Sequence, residues 1–127
     1  MDILVVLEDN HGSLHRMSKE ATAGAQKLGG TVSALAIGKN ADSLAGELSN
    51  IDIEDVITVK HDLISSYNAD GYTEVVKQVI EYESPNTIIA GHTYQTRDFM
   101  PKVSAKLDIP FIPDIVALDN GHFVKQV

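Results

Sequence analysis

Apolar runs and apolar stripes alternate along the 127 residues, and the period of each segment indicates its element. The run Ile3-Leu4-Val5-Val6-Leu7 predicts a first strand over 3–7. Leu14, Met17, Ala21, Ala25 and Leu28 then recur at spacings of three and four, which predicts a helix with one buried face. Ser13 is placed to cap its start and Gly29-Gly30 to end it. Residues 31–37 read as a second strand, 42–48 as a short helix over Leu44, Ala45 and Leu48, and 55–59 as a third strand. The polar stretch 60–70 is a connection, and Tyr72, Val75, Val76, Val79 and Ile80 give a helical stripe that stops before Pro85.

The short β-branched run 87–90 has the character of a central strand buried on both faces. Residues 96–107 follow as a helix with Phe99, Met100, Val103 and Leu107 on one side and Pro101 about one turn inside. Residues 111–118, interrupted by Pro113, suit an edge strand. Asp119-Asn120-Gly121 signals a turn, and 122–127 begins a returning strand that the chain does not complete, which reads as a fragment. Alternating strands and helices predict an α/β fold in three layers. Its sheet is parallel in the core, in order 3-2-1-4-5, with right-handed crossovers and an antiparallel addition at the carboxy-terminal end. One domain over 1–127 accommodates all of it.

Composition changes the picture in two places. Ten Lys plus Arg against 18 Asp plus Glu give a net charge of -8, which opposes binding to nucleic-acid phosphates. The absence of Cys excludes disulfides, thiolate catalysis and cysteine-ligated metal centres. The first apolar run is flanked by Asp2 and by Glu8-Asp9, unlike a signal peptide, and no apolar window has the length of a membrane span. A cytoplasmic protein is therefore expected.

Motifs for bond-making chemistry are absent from the sequence. It contains no Gly-x-Ser-x-Gly elbow, no Walker-type loop and no Gly-x-Gly-x-x-Gly after the first strand. Glu8 and Asp9 are adjacent carboxylates on a turn, pointing different ways, and read as a solvated strand end. His11 and His15 have helical spacing, but His11 precedes the predicted cap, so no metal pair is expected. Asp98 is explained by the helix dipole at a first turn, and Arg97 by a structural or interface role. No catalytic residue and no metal ligand are expected.

A collinear set of segments resembles a known family. These are Ile3 to Glu8, Gly12-Ser13-Leu14, Ala25 to Leu35, Thr93 to Pro101 with Thr96-Arg97-Asp98, and Lys106 to Ile109 followed by Pro113-Asp114-Ile115. Together they resemble the amino-terminal domain of the electron transfer flavoprotein alpha subunit. The resemblance implies a Rossmann-like domain of the adenine nucleotide alpha hydrolase type. It also implies a heterodimer with a beta subunit, carrying electrons from flavin dehydrogenases to an acceptor. The family's FAD is held by a carboxy-terminal domain whose segments do not occur here, so no flavin is expected on this chain alone.

The family's beta subunit holds AMP in a domain of the same fold, which directs attention to one mouth. It lies between Glu8-Asp9-Asn10 and the turn Gly91, His92, Thr93, Tyr94, Gln95, Thr96, with Arg97 beside it, where a helix N-terminus faces the strand ends. With two acidic groups there, an empty or vestigial pocket is expected. Two alternatives remain: a free-standing nucleotide-binding domain like those of stress proteins, whose phosphate loop is missing here, and a bare interaction module that pairs through its edge strand.

Overall fold

A computed structural model describes residues 1–109 and the backbone of 117–119. The elements in chain order are β1 (Ile3–Val6), β2 (Asp9–Asn10), β3 (Ser13–Leu14), α1 (Arg16–Leu28), β4 (Val32–Ile37), α2 (Ala41–Glu47) and β5 (Asp55–Val59). A 3-10 turn (Asp62–Ile64), α3 (Ala69–Glu83), β6 (Thr87–Ala90), α4 (Tyr94–Leu107) and β7 (Ala117–Asp119) follow. The main sheet runs β5-β4-β1-β6-β7. Its first four strands are parallel and β7 pairs antiparallel with β6, so the expected α/β class and the 3-2-1-4-5 order of the long strands hold.

Period-two alternation in the strands divides the core between two faces. Ile3, Val5, Val32, Ala34 and Ala36 point to one side, where Leu14, Ala21, Ala25, Leu44 and Leu48 cover them from β3, α1 and α2. Leu4, Val6, Leu35, Ile37, Ile88 and Ala90 point to the other, against Tyr72, Val76, Phe99, Met100 and Val103 of α3 and α4. Burying side chains of the size of Leu4 or Phe99 contributes roughly 1.5–3 kcal/mol each. Both faces of β1 and β6 are thus occupied, and their carboxyl ends stand free for the loops.

Several boundaries differ from the sequence reading. Ser13 does not cap α1: it pairs with Asn10 in a two-stranded hairpin, and His15 takes over as cap, its Nδ1 accepting from the Met17 N–H at 3.0 Å. Leu28, at the end of the predicted stripe, is 47% exposed. Helix α4 begins two residues early because Thr93 caps it, its hydroxyl accepting from the Thr96 N–H at 3.1 Å. That start places Pro101 seven residues after Tyr94, deeper than one turn, where the Arg97 carbonyl loses the N–H an ordinary residue would supply. Asp119, read as a turn residue, pairs with Thr87 in the β6–β7 ladder. The rest of the predicted edge strand and the returning strand 122–127 lie outside the described residues.

Candidate functional site

Beyond the carboxyl ends of β1 and β4 opens a crevice of about 690 Å³. Its walls come from the β2–β3 hairpin (Asp9 to Gly12), the end of β4 (Ile37 to Asn40), the loop before α3 (Ser65 to Tyr67), and Tyr72 and Gln95. The hairpin turn is held by one side chain. Asp9 accepts from the Gly12 N–H and from the Asn40 amide, both at 2.7 Å, which ties the hairpin to the start of α2 and uses both carboxylate oxygens. Gly12 sits at φ 92°, a conformation that the absence of Cβ allows.

The floor is aromatic. Tyr72 is buried and donates to the Ile37 carbonyl at 3.2 Å, and it packs edge-on against Tyr67 with ring centroids 4.9 Å apart. Burial, reinforced by the Asp9 and Glu8 carboxylates, pushes the Tyr72 phenol up to about 12. Tyr67 is also pushed well above the usual phenol range, first by burial and then by its 2.6 Å bond to Asp98. Both rings are therefore neutral hydrogen-bond donors at physiological pH, and neither is poised to act as a base.

The residues expected to share a mouth are divided by the fold. Of them, Asp9, Asn10 and Gln95 line the crevice. Glu8 turns away from it: its carboxylate accepts from the Thr93 hydroxyl at 2.6 Å and faces His15 Nε2 at 3.8 Å, so the two adjacent acids diverge. Gly91 is buried against α1, where an added Cβ would lie 2.7 Å from that of Met17. His92, Thr93 and Arg97, with Tyr94, line a separate shallow depression of about 150 Å³. Thr96 is buried beneath it, its hydroxyl 3.1 Å from that of Thr93. Asp98 is not in the first turn of α4; the bond from Tyr67 accounts for it in place of the helix dipole.

The sequence reading missed Lys39, Asn40, Ser65, Ser66, Tyr67 and Tyr72 as crevice residues. Tyr72 was read only as part of a core stripe, and the Ser65–Tyr67 loop only as a connection; a strand end followed by Gly38-Lys39-Asn40 was the available signal. Among the described residues no cluster of three or more His, Asp or Glu side chains could hold a metal ion, and no helix is long and apolar enough to cross a membrane.

Comparison with known proteins places these features in a family. The model of the electron transfer flavoprotein domain matches residues 3–127. The electron transfer flavoprotein subunit alpha of Bacillus subtilis is 34% identical over 126 residues, which are 96% of this chain and 39% of that protein. The subunit alpha of Syntrophomonas wolfei is 26% identical over 127 residues, 97% of this chain and 40% of that protein. The acryloyl-CoA reductase electron transfer subunit beta of Anaerotignum propionicum is 29% identical over 122 residues, covering 93% and 33%. The chain thus spans about two fifths or less of the length of these relatives. With the family model matched from Ile3 to the last residue and a sheet in the expected order, the chain belongs to the electron transfer flavoprotein domain family.

Proposed function

We propose that these residues serve as one α/β domain of an alpha subunit in a heterodimeric, cytoplasmic electron transfer flavoprotein that carries electrons from flavin dehydrogenases to an acceptor. The domain's part is to present a surface to the beta subunit and to support the flavin domain, with no bond made or broken on its own side chains. The observation that carries this reading is the family match over residues 3–127 in a chain that spans so small a share of its alpha-subunit relatives.

Two features support an interface at the start of α4. Tyr94 is 92% exposed, and Tyr and Arg are enriched where partner surfaces bind most strongly. Arg97 is exposed, and among the described residues it has no ion-pair partner.

Two more support placing the FAD elsewhere. The crevice and the Arg97 depression are separate, and the crevice has the Asp9 carboxylate in its wall, which opposes a diphosphate. Both features support a flavin dinucleotide held outside the described residues. The second reading, a nucleotide-binding domain, would place its ligand in this crevice, and one experiment separates the two. Equilibrium dialysis of the purified chain against FAD, and separately against ATP, should leave the protein colourless and free of both. Retained flavin absorbance would overturn the placement of the cofactor, and retained ATP would favour the second reading.

A further inference from the structure

Strand β5 is an open edge of the main sheet. The Thr31 and Leu35 carbonyls accept from the Ile3 and Leu7 N–H groups on the β1 side, so the even-numbered backbone of β4 faces β5. There the Gly38 N–H reaches the Val59 carbonyl at 3.0 Å. The odd-numbered peptide groups of β5 therefore point inward, and those of Val56 and Thr58 point away from the sheet. Among the described residues no strand receives them. Glu54, just outside the strand, is itself tied to the Val32 carbonyl through its N–H at 2.7 Å. Val56, Ile57 and Val59 are only half-buried, and an apolar groove of about 370 Å³ runs from Val59 past Leu63, Ile64 and Val75. Leu63 is 77% exposed.

We infer that β5 pairs with β5 of a second copy, antiparallel about a two-fold axis at Ile57, joining the two sheets into one. Two-fold pairing sets one residue opposite its own equivalent, and the charges choose which. With Ile57 at the axis, Val56 lies opposite Thr58, and the two exchange both of their outward hydrogen bonds. Asp55 then lies opposite Val59, and Glu54 opposite Lys60 at each end of the ladder. Moving the axis to Thr58 sets Glu54 against Asp62, and moving it to Val56 sets Asp55 against Ile57. A lysine on an edge strand ordinarily discourages pairing. In this register it meets a carboxylate instead. Lys60 rests on Asp42 of its own chain at 2.5 Å, with the two side chains 52% and 69% exposed. An ion pair so exposed holds weakly, and Lys60 is available to a second carboxylate.

The net charge of -8 on each copy opposes association, which makes the contact a reversible one. It also leaves the start of α4 free, because α4 follows β6 and β6 lies on the other side of β1 from β5. Self-pairing and assembly with a beta subunit thus use different surfaces and are tested separately.

The chain has no Cys, so single cysteines report the register. Ile57→Cys, Val56→Cys and Thr58→Cys are oxidised under identical conditions, and the wild type is followed by sedimentation velocity over a concentration series. Residue 57 faces its own copy at a non-hydrogen-bonded position, with Cα atoms about 4.5 Å apart. That lies inside the disulfide range of roughly 4.4–6.8 Å. The dimer fraction of the wild type should rise with concentration, and covalent dimer should form about tenfold faster from Ile57→Cys than from either neighbour. Lys60→Glu should raise the dissociation constant about tenfold, and adding Glu54→Lys to it should restore the wild-type value. The inference is overturned by a wild type that stays monomeric throughout, by crosslinking at 56 or 58 as fast as at 57, or by a double variant no tighter than Lys60→Glu. Sedimentation of the wild type and the crosslinking rates each decide on their own, even if a charge variant does not fold.

Discussion

Single side chains settle what the crevice is made of. Tyr72 is the clearest case: a core position by its helical spacing, it also turns its hydroxyl to the end of β4. Its phenol ionises at about 12 in place of the ordinary 10.0, chiefly through burial, with Asp9 and Glu8 adding to the effect. The unfolded chain therefore loses this proton first as pH rises. The stabilisation is complete below about pH 10 and disappears as pH climbs toward 12. Titration of tyrosinate absorbance should show a late step that shrinks in Tyr72→Phe, with Tyr67 supplying what remains. An ordinary ionisation of Tyr72 in the folded protein would contradict the packing described. At this scale the sequence was a partial guide. It marked Gly91 and Asp98 as notable, but the reasons are a helix passing within a Cβ of Gly91 and a tyrosine reaching Asp98 from 31 positions away. Long-range partners of that kind leave no trace in local spacing.

The elements were more legible than their ends. Stripes and runs located every long helix and strand to within a few residues, since burial imposes the period directly. The β2–β3 hairpin escaped because strands of two residues are too short to show a period. Its presence moved the α1 cap from Ser13 to His15. The start of α4 escaped because Thr93 and Thr96 are equally good capping residues by type, and geometry chose Thr93. That choice carries a stability consequence. Thr93 both caps the helix and supplies Glu8 with its hydroxyl donor, so Thr93→Ala should lower unfolding free energy by about 1–2 kcal/mol. Thr93→Ser should recover most of the loss, because the hydroxyl does both tasks. Urea denaturation midpoints of the three proteins measure it, and equal midpoints for wild type and Thr93→Ala would exclude the double role.

For the whole molecule, the sheet order was the most legible property. A switch between strand runs and helical stripes, combined with right-handed crossovers, leaves few topologies, and the structure has the expected one. The family was legible too, because several individually weak segments occur in the right order along nearly all the chain, and the family model matches the same span. The crevice was only partly legible, through Asp9, Asn10 and Gln95. It is assembled from four separated loops that come together only when the sheet closes, and the residues expected to meet at one mouth were sorted into two places. The central claim concerns neither depression alone but what this domain is for: assembly with a second subunit. It is tested most directly by titrating the chain with the electron transfer flavoprotein beta subunit of the same organism and measuring association by calorimetry. The account predicts a saturable one-to-one complex, weakened at least tenfold by the double variant Tyr94→Ala with Arg97→Ala; the absence of any complex with the wild-type chain would contradict it.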